Sequence, residues 1–97
     1  MKSASNATVV TGTLRACVPA GDGYGSHLEI EVTGNESPDP GADFIKPPSG
    51  QILRAFMAPQ PGLDVARTLV GAGVHATLTW LGGPSGGQAV VQHLRAK

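Results

Sequence analysis

The run His27-Leu28-Glu29-Ile30-Glu31-Val32 alternates polar and apolar residues without a break. A strand turns successive side chains to opposite faces, so Leu28, Ile30 and Val32 point into a core while His27, Glu29 and Glu31 point out. One wet face fits an antiparallel sheet; strands of a doubly covered parallel sheet read as continuous apolar runs. Similar runs recur at 8–18, 51–58, 74–81 and 89–96, each cut off by a cluster of glycine and proline. In residues 8–18, Val10, Gly12, Leu14, Ala16 and Val18 form the face expected to be buried, with Thr11, Thr13, Arg15 and Cys17 opposite. Gly12 suits a bulge or bend. The inward face of 51–58 is ambiguous, because Ile52, Leu53, Phe56 and Met57 occupy both parities. In 74–81, Val74, Ala76, Leu78 and Trp80 share a face, and in 89–96 Val90, Gln92, Leu94 and Ala96 oppose Ala89, Val91, His93 and Arg95.

The breaks fall at 19–25, 33–50, 59–62, 71–73 and 82–87. Turn residues of these types end strands and take backbone angles that others avoid. The stretch 33–50 reads as an extended, mobile loop, with Phe44 as a candidate anchor. Between the third and fourth runs, Leu63, Ala66, Leu69 and Val70 recur at helical spacing, Asp64 stands in the first turn and Gly71 and Gly73 supply the stop. A short helix is predicted there.

Ninety-seven residues suffice for one small domain, assigned to 8–97, with 1–7 as a disordered tail or vector-derived extension. Hydrophobic residues make up 40%, enough to fold despite 14 glycines and 8 prolines. Seven basic residues balance seven acidic ones, which removes the charge-based argument for non-specific binding to nucleic acid or anionic membranes. A single cysteine excludes an intramolecular disulfide framework and a multi-cysteine zinc site. No apolar stretch reaches the length that spans a bilayer, and residues 1–7 lack the apolar centre of a secretory signal, so none is expected. A soluble cytoplasmic protein, without membrane association or cofactor, is expected.

The order strand, strand, loop, strand, helix, strand, strand matches an all-β, five-stranded OB-type Greek-key barrel with one short helix between strands 3 and 4. The segment Val9-Val10-Thr11-Gly12-Thr13-Leu14 resembles the opening strand of bacterial single-stranded-DNA-binding and primosomal OB proteins. Leu69-Val70-Gly71-Ala72-Gly73-Val74-His75-Ala76-Thr77-Leu78 is similar to their approach to the fourth strand, and Ala89-Val90-Val91-Gln92-His93-Leu94 to their last. These motifs are made of turn glycines and alternating apolar residues, so the resemblance implies a fold before an activity. Two departures stand out. The loop at 33–50 carries Glu36, Asp39 and Asp43 against Lys46 alone, and residues 82–88 have neither charge nor aromatic ring, where the resemblance implies basic, aromatic-bearing loops.

Single-stranded nucleic acid is held by cations along a groove and by aromatic faces on which bases stack. Tyr24, between glycines in the first turn, is the stacking candidate, whereas Trp80 and Phe56 are expected in the core. Arg15 and Arg54, on the first and third strands, are candidate phosphate contacts, although Glu29 and Glu31 on the strand between can pair with them instead. His27, His75 and His93 each stand alone in a strand, without metal-ligand spacing, and are expected at the surface. Cys17 is expected half-buried and unreactive, with no base beside it in sequence. No nucleophile motif or phosphate loop is present, so no enzymatic activity is expected. Two functions follow: a small OB module binding single-stranded nucleic acid weakly as an oligomer through Arg15, Tyr24 and Arg54, or an assembly module for a protein partner using a strand edge or the 33–50 loop.

Overall fold

A computed structural model describes residues 7–21, 24–38, 43, 45–59, 66–83 and 86–97. Five strands, β1 (Thr8–Pro19), β2 (Ser26–Asn35), β3 (Ile52–Met57), β4 (Gly73–Gly83) and β5 (Gly86–Ala96), close into a barrel of order β1-β2-β3-β5-β4. All neighbours are antiparallel except β3 and β5, which run parallel. Helical residues 66–68 stand between β3 and β4 and bury Ala66. This is the OB-type all-β architecture expected from the order of elements. The expected helix start at Leu63 and Asp64, the tail at 1–6, Asp39, Phe44, the break at 60–62 and the hairpin tip at 84–85 lie outside the described residues.

Leu28, Ile30 and Val32 are buried with Val10, Leu14, Leu53, Ala55, Met57, Val74, Ala76, Leu78, Ala89 and Val91. The ambiguous third strand thus turns Leu53, Ala55 and Met57 inward. Its pairing with β2 requires this, since Ile30 opposes Leu53 and Leu28 opposes Ala55.

Pairing irregularities correct the expected faces of β1. Leu14 pairs with Ile30, but the next pair is Ala16 with Glu29, so Arg15 is an extra residue in β1. A one-residue bulge reverses the alternation beyond it. Cys17 packs against the core, Ala16 is only half-buried and Val18 is 52% exposed. A second irregularity falls between Thr11 and Gly12, where β2 contributes the extra Thr33. There a Cβ on Gly12 would collide with the Glu31 carbonyl, so the expected bend is also a close crossing of two backbones.

The described residues of the segment after β2 are tied to the barrel by hydrogen bonds. Asp43 is 3% exposed and accepts hydrogen bonds from Thr8 Oγ1 (2.6 Å), Asn35 Nδ2 (2.6 Å), Lys46 N (2.8 Å) and Ile45 N (3.1 Å). Glu36 N donates to Val9 O at 2.7 Å and Gly50 N to Val32 O at 2.7 Å. Burial pushes the Asp43 carboxyl up. The donors from Thr8, Asn35, Lys46 and Ile45 outweigh it and hold its pKa below the ordinary value.

Candidate nucleic-acid interface

The register sorts the outward side of β1, β2 and β3 into rows. Val18 pairs with His27 and His27 with Phe56; Ala16 pairs with Glu29 and Glu29 with Arg54; Thr13 pairs with Glu31 and Glu31 with Ile52. Phe56 in turn pairs with Val90 of β5. One row is therefore apolar and aromatic, and the next carries charge. Phe56, expected in the core, is half-buried on this outer face, because the inward parity of β3 belongs to Leu53, Ala55 and Met57.

The first hairpin brings Tyr24 to the same row. Its turn is closed by Ala20 N donating to Gly25 O at 3.1 Å. Gly25 has φ +77°, and a Cβ there would lie 2.5 Å from the Met57 carbonyl oxygen and 2.7 Å from Phe56 Cζ. Only glycine lets the turn descend onto Phe56 in this conformation. Tyr24, 61% exposed, then stands nearly parallel to Phe56, with ring centroids 6.3 Å apart and planes inclined by 19°. His27 meets the Phe56 ring edge-on at 5.7 Å.

A second aromatic edge comes from the β4–β5 hairpin. Gly82 pairs with Gly87, and Cβ atoms on these residues would stand 2.5 Å from Trp80 Nε1 and 2.7 Å from Trp80 Cζ2. The indole therefore lies across glycine backbone. Trp80 packs partly against the core, as its parity predicted, and also borders a surface notch. β3 and β5 pair only through Ala55 with Ala89 and Phe56 with Val90. Where they diverge, Arg54, Phe56, Trp80, Gly87 and Gln88 line a groove of about 480 Å³. Tyr24, His27, Phe56, Gln88, Ala20 and Gly21 line an adjoining one of about 430 Å³. His27, Phe56 and Gln88 belong to both.

The two candidate arginines differ. Arg15 Nε lies 3.5 Å from Glu31 Oε1, an exposed pair worth at most about 1 kcal/mol. Arg54 opposes Glu29 in register yet, among the described residues, has no ion-pair partner. The cross-strand pairing thus captures Arg15 and leaves Arg54 beside the groove. Two acids of the long loop fall among the described residues. Asp43 is buried in its own hydrogen bonds, and Glu36 lies 3.9 Å from His75 Nδ1.

His75 and His93 line another groove with Val9, Thr77, Leu94 and Arg95, while His27 is elsewhere. No group of three His, Cys, Asp or Glu able to hold a metal occurs among the described residues. Tyr24 and Arg54 therefore line adjoining grooves, whereas Arg15 lines neither and pairs with Glu31. Phe56, His27, Trp80 and Gln88 join the site without having been anticipated there. The signal available for them was local: Gly25 before β2 and the paired glycines around the last hairpin mark places where a ring approaches backbone. No helix among the described residues is long and apolar enough to cross a membrane. Comparisons with protein-family models, with curated proteins and with solved structures find no match.

Proposed function

We propose that the protein binds single-stranded nucleic acid across the outer face of β2 and β3, between the first hairpin and the β4–β5 hairpin. The observation that carries this reading is two adjoining grooves sharing His27, Phe56 and Gln88, with Tyr24 on the first and Trp80 and Arg54 on the second. Strands 2 and 3 with these two loops form the surface on which OB barrels take oligonucleotides, and the strand motifs resemble those of bacterial single-stranded-DNA-binding proteins. Stacking supplies most of the affinity, at roughly 1–3 kcal/mol per base, and is indifferent to sequence in its main part.

One arginine implies a shallow salt response. With one phosphate neutralised, a single strand loses only about 2.6-fold in affinity between about 50 and about 200 mM salt. Anisotropy of a labelled oligo(dT) of ~12 nucleotides, within the size OB barrels accept, tests this directly. Binding with that shallow slope supports the reading. No binding at the lower salt overturns it.

Assembly with a protein or a second copy is the other reading, and the strand edges favour it. β1 pairs with β4 over Thr8–Thr13 and Leu14 exchanges backbone hydrogen bonds with Gly71 and Ala72, so among the described residues the strand pairing of Ala16–Pro19 is with β2, and Val18 is exposed there; Leu81 of β4 is 57% exposed. Main-chain groups on such edges accept an added strand. Light scattering across a concentration series tests it: a dimer or larger species supports self-assembly, and a monomer throughout removes that form of the reading.

A further inference from the structure

We infer that Gln88 reads the edge of a base held against Phe56, which makes it a selectivity residue within an otherwise sequence-tolerant groove. The inference rests on the nucleic-acid reading above. Gln88 lies on the same outward parity of β5 as Val90, and Val90 is the register partner of Phe56. It borders both compartments of the groove, with Tyr24, His27 and Phe56 on one side and Arg54, Trp80 and Phe56 on the other. The side chain is exposed, and its amide has no hydrogen-bond partner among the described residues. Gln92, four residues along the same strand, instead spends its amide on Thr79 Oγ1 at 3.0 Å.

The neighbours divide the work. Rings recognise the face of a base and leave its edge unread, because every base has a π face. Arg54 carries a fixed positive charge with no acceptor, suited to phosphate. The amide of Gln88 offers one acceptor and two donor hydrogens side by side, complementary to the paired donor and acceptor on a base edge. A glutamate at this position keeps the acceptor and replaces the donor group with a second acceptor. It then favours a base presenting an amino group, such as cytosine through N4, and disfavours thymine, whose O4 faces a carboxylate.

The test compares the affinities of oligo(dC) and oligo(dT) for the unmodified chain, Gln88→Glu and Gln88→Leu. The ratio is the readout, since the added negative charge weakens both ligands through their phosphates. Gln88→Glu is expected to raise the dC-to-dT affinity ratio at least about fivefold, the lower end of what one bidentate base contact discriminates. Gln88→Leu, which offers neither donor nor acceptor, is expected to bind both oligomers without the shift in ratio shown by Gln88→Glu. Thermal unfolding of each variant establishes that the exposed substitution leaves the barrel folded. An unchanged ratio in Gln88→Glu overturns the assignment, as does a preference that survives both substitutions and disappears in His27→Phe. Failure of the unmodified chain to bind either oligomer is a different result, because it removes the nucleic-acid reading itself.

Discussion

Tyr24 and Phe56 stand nearly parallel, 6.3 Å between ring centroids, although one belongs to a turn and the other to the middle of the sheet. Gly25 holds them there, since its positive φ and missing Cβ let the turn rest on the Phe56 ring. The pair makes Tyr24 one side of an aromatic surface that continues past His27 toward Trp80.

Tyr24→Ala is expected to weaken oligo(dT) binding by about tenfold, within the range of one lost base stack. Because the ring is 61% exposed, the thermal midpoint is expected to stay nearly unchanged. Anisotropy and circular dichroism on the same preparation check both parts.

Gly25→Ala acts on the fold first. The new methyl group meets the Met57 carbonyl and the Phe56 ring, and the backbone must keep a φ that alanine resists. A loss of about 2 kcal/mol is expected from overpacking and strain together. Urea denaturation measures it; an unchanged midpoint would show that the turn does not rest on Phe56 as described.

Arg54→Ala is expected to reduce oligo(dT) affinity and flatten the salt response, while Arg15→Ala does neither beyond about twofold. The difference follows from partners: Arg15 is paired with Glu31 and Arg54 is not paired with any described carboxylate. Equal effects of the two substitutions would contradict the division of the charged face.

Asp43 makes stability depend on acid. Its carboxyl titrates lower in the folded chain than its ordinary value of 3.8, so the folded state holds the charged form more strongly than the unfolded state does. The stabilisation is fully present above that ordinary value and is lost as pH falls through the lower, folded-state value. Asp43→Asn is expected to cost about 1–3 kcal/mol near neutrality by disturbing a buried acceptor. It is also expected to have a smaller drop in urea midpoint between about pH 5 and about pH 2.5 than the unmodified chain.

Much of the barrel was legible because β2 alternates cleanly and glycine and proline mark each corner. What escaped was decided between strands. The bulge at Arg15 reverses the faces of Ala16, Cys17 and Val18, and nothing in β1 itself announces an extra residue. β3 carries large apolar side chains on both parities, so the pairing of Ile30 with Leu53 decides that Phe56 faces out. Asp43 looked like a surface charge on a loose loop until Thr8, Asn35 and two backbone amides closed around it. At the site, Tyr24 and Arg54 could be picked out by exposure and charge. Phe56, Trp80 and Gln88 become site residues only through the close approach of β3 to the β4–β5 hairpin.

Trp80 is the single tryptophan of the chain, and it borders the groove proposed to hold bases. Titration of its intrinsic fluorescence with unlabelled oligo(dT) therefore addresses the central claim without a label or a mutation. Saturable quenching that weakens in Tyr24→Ala and Arg54→Ala is the predicted result. Fluorescence that stays constant while anisotropy reports binding would place the nucleic acid on another face, and constancy in both signals would leave the barrel without this function.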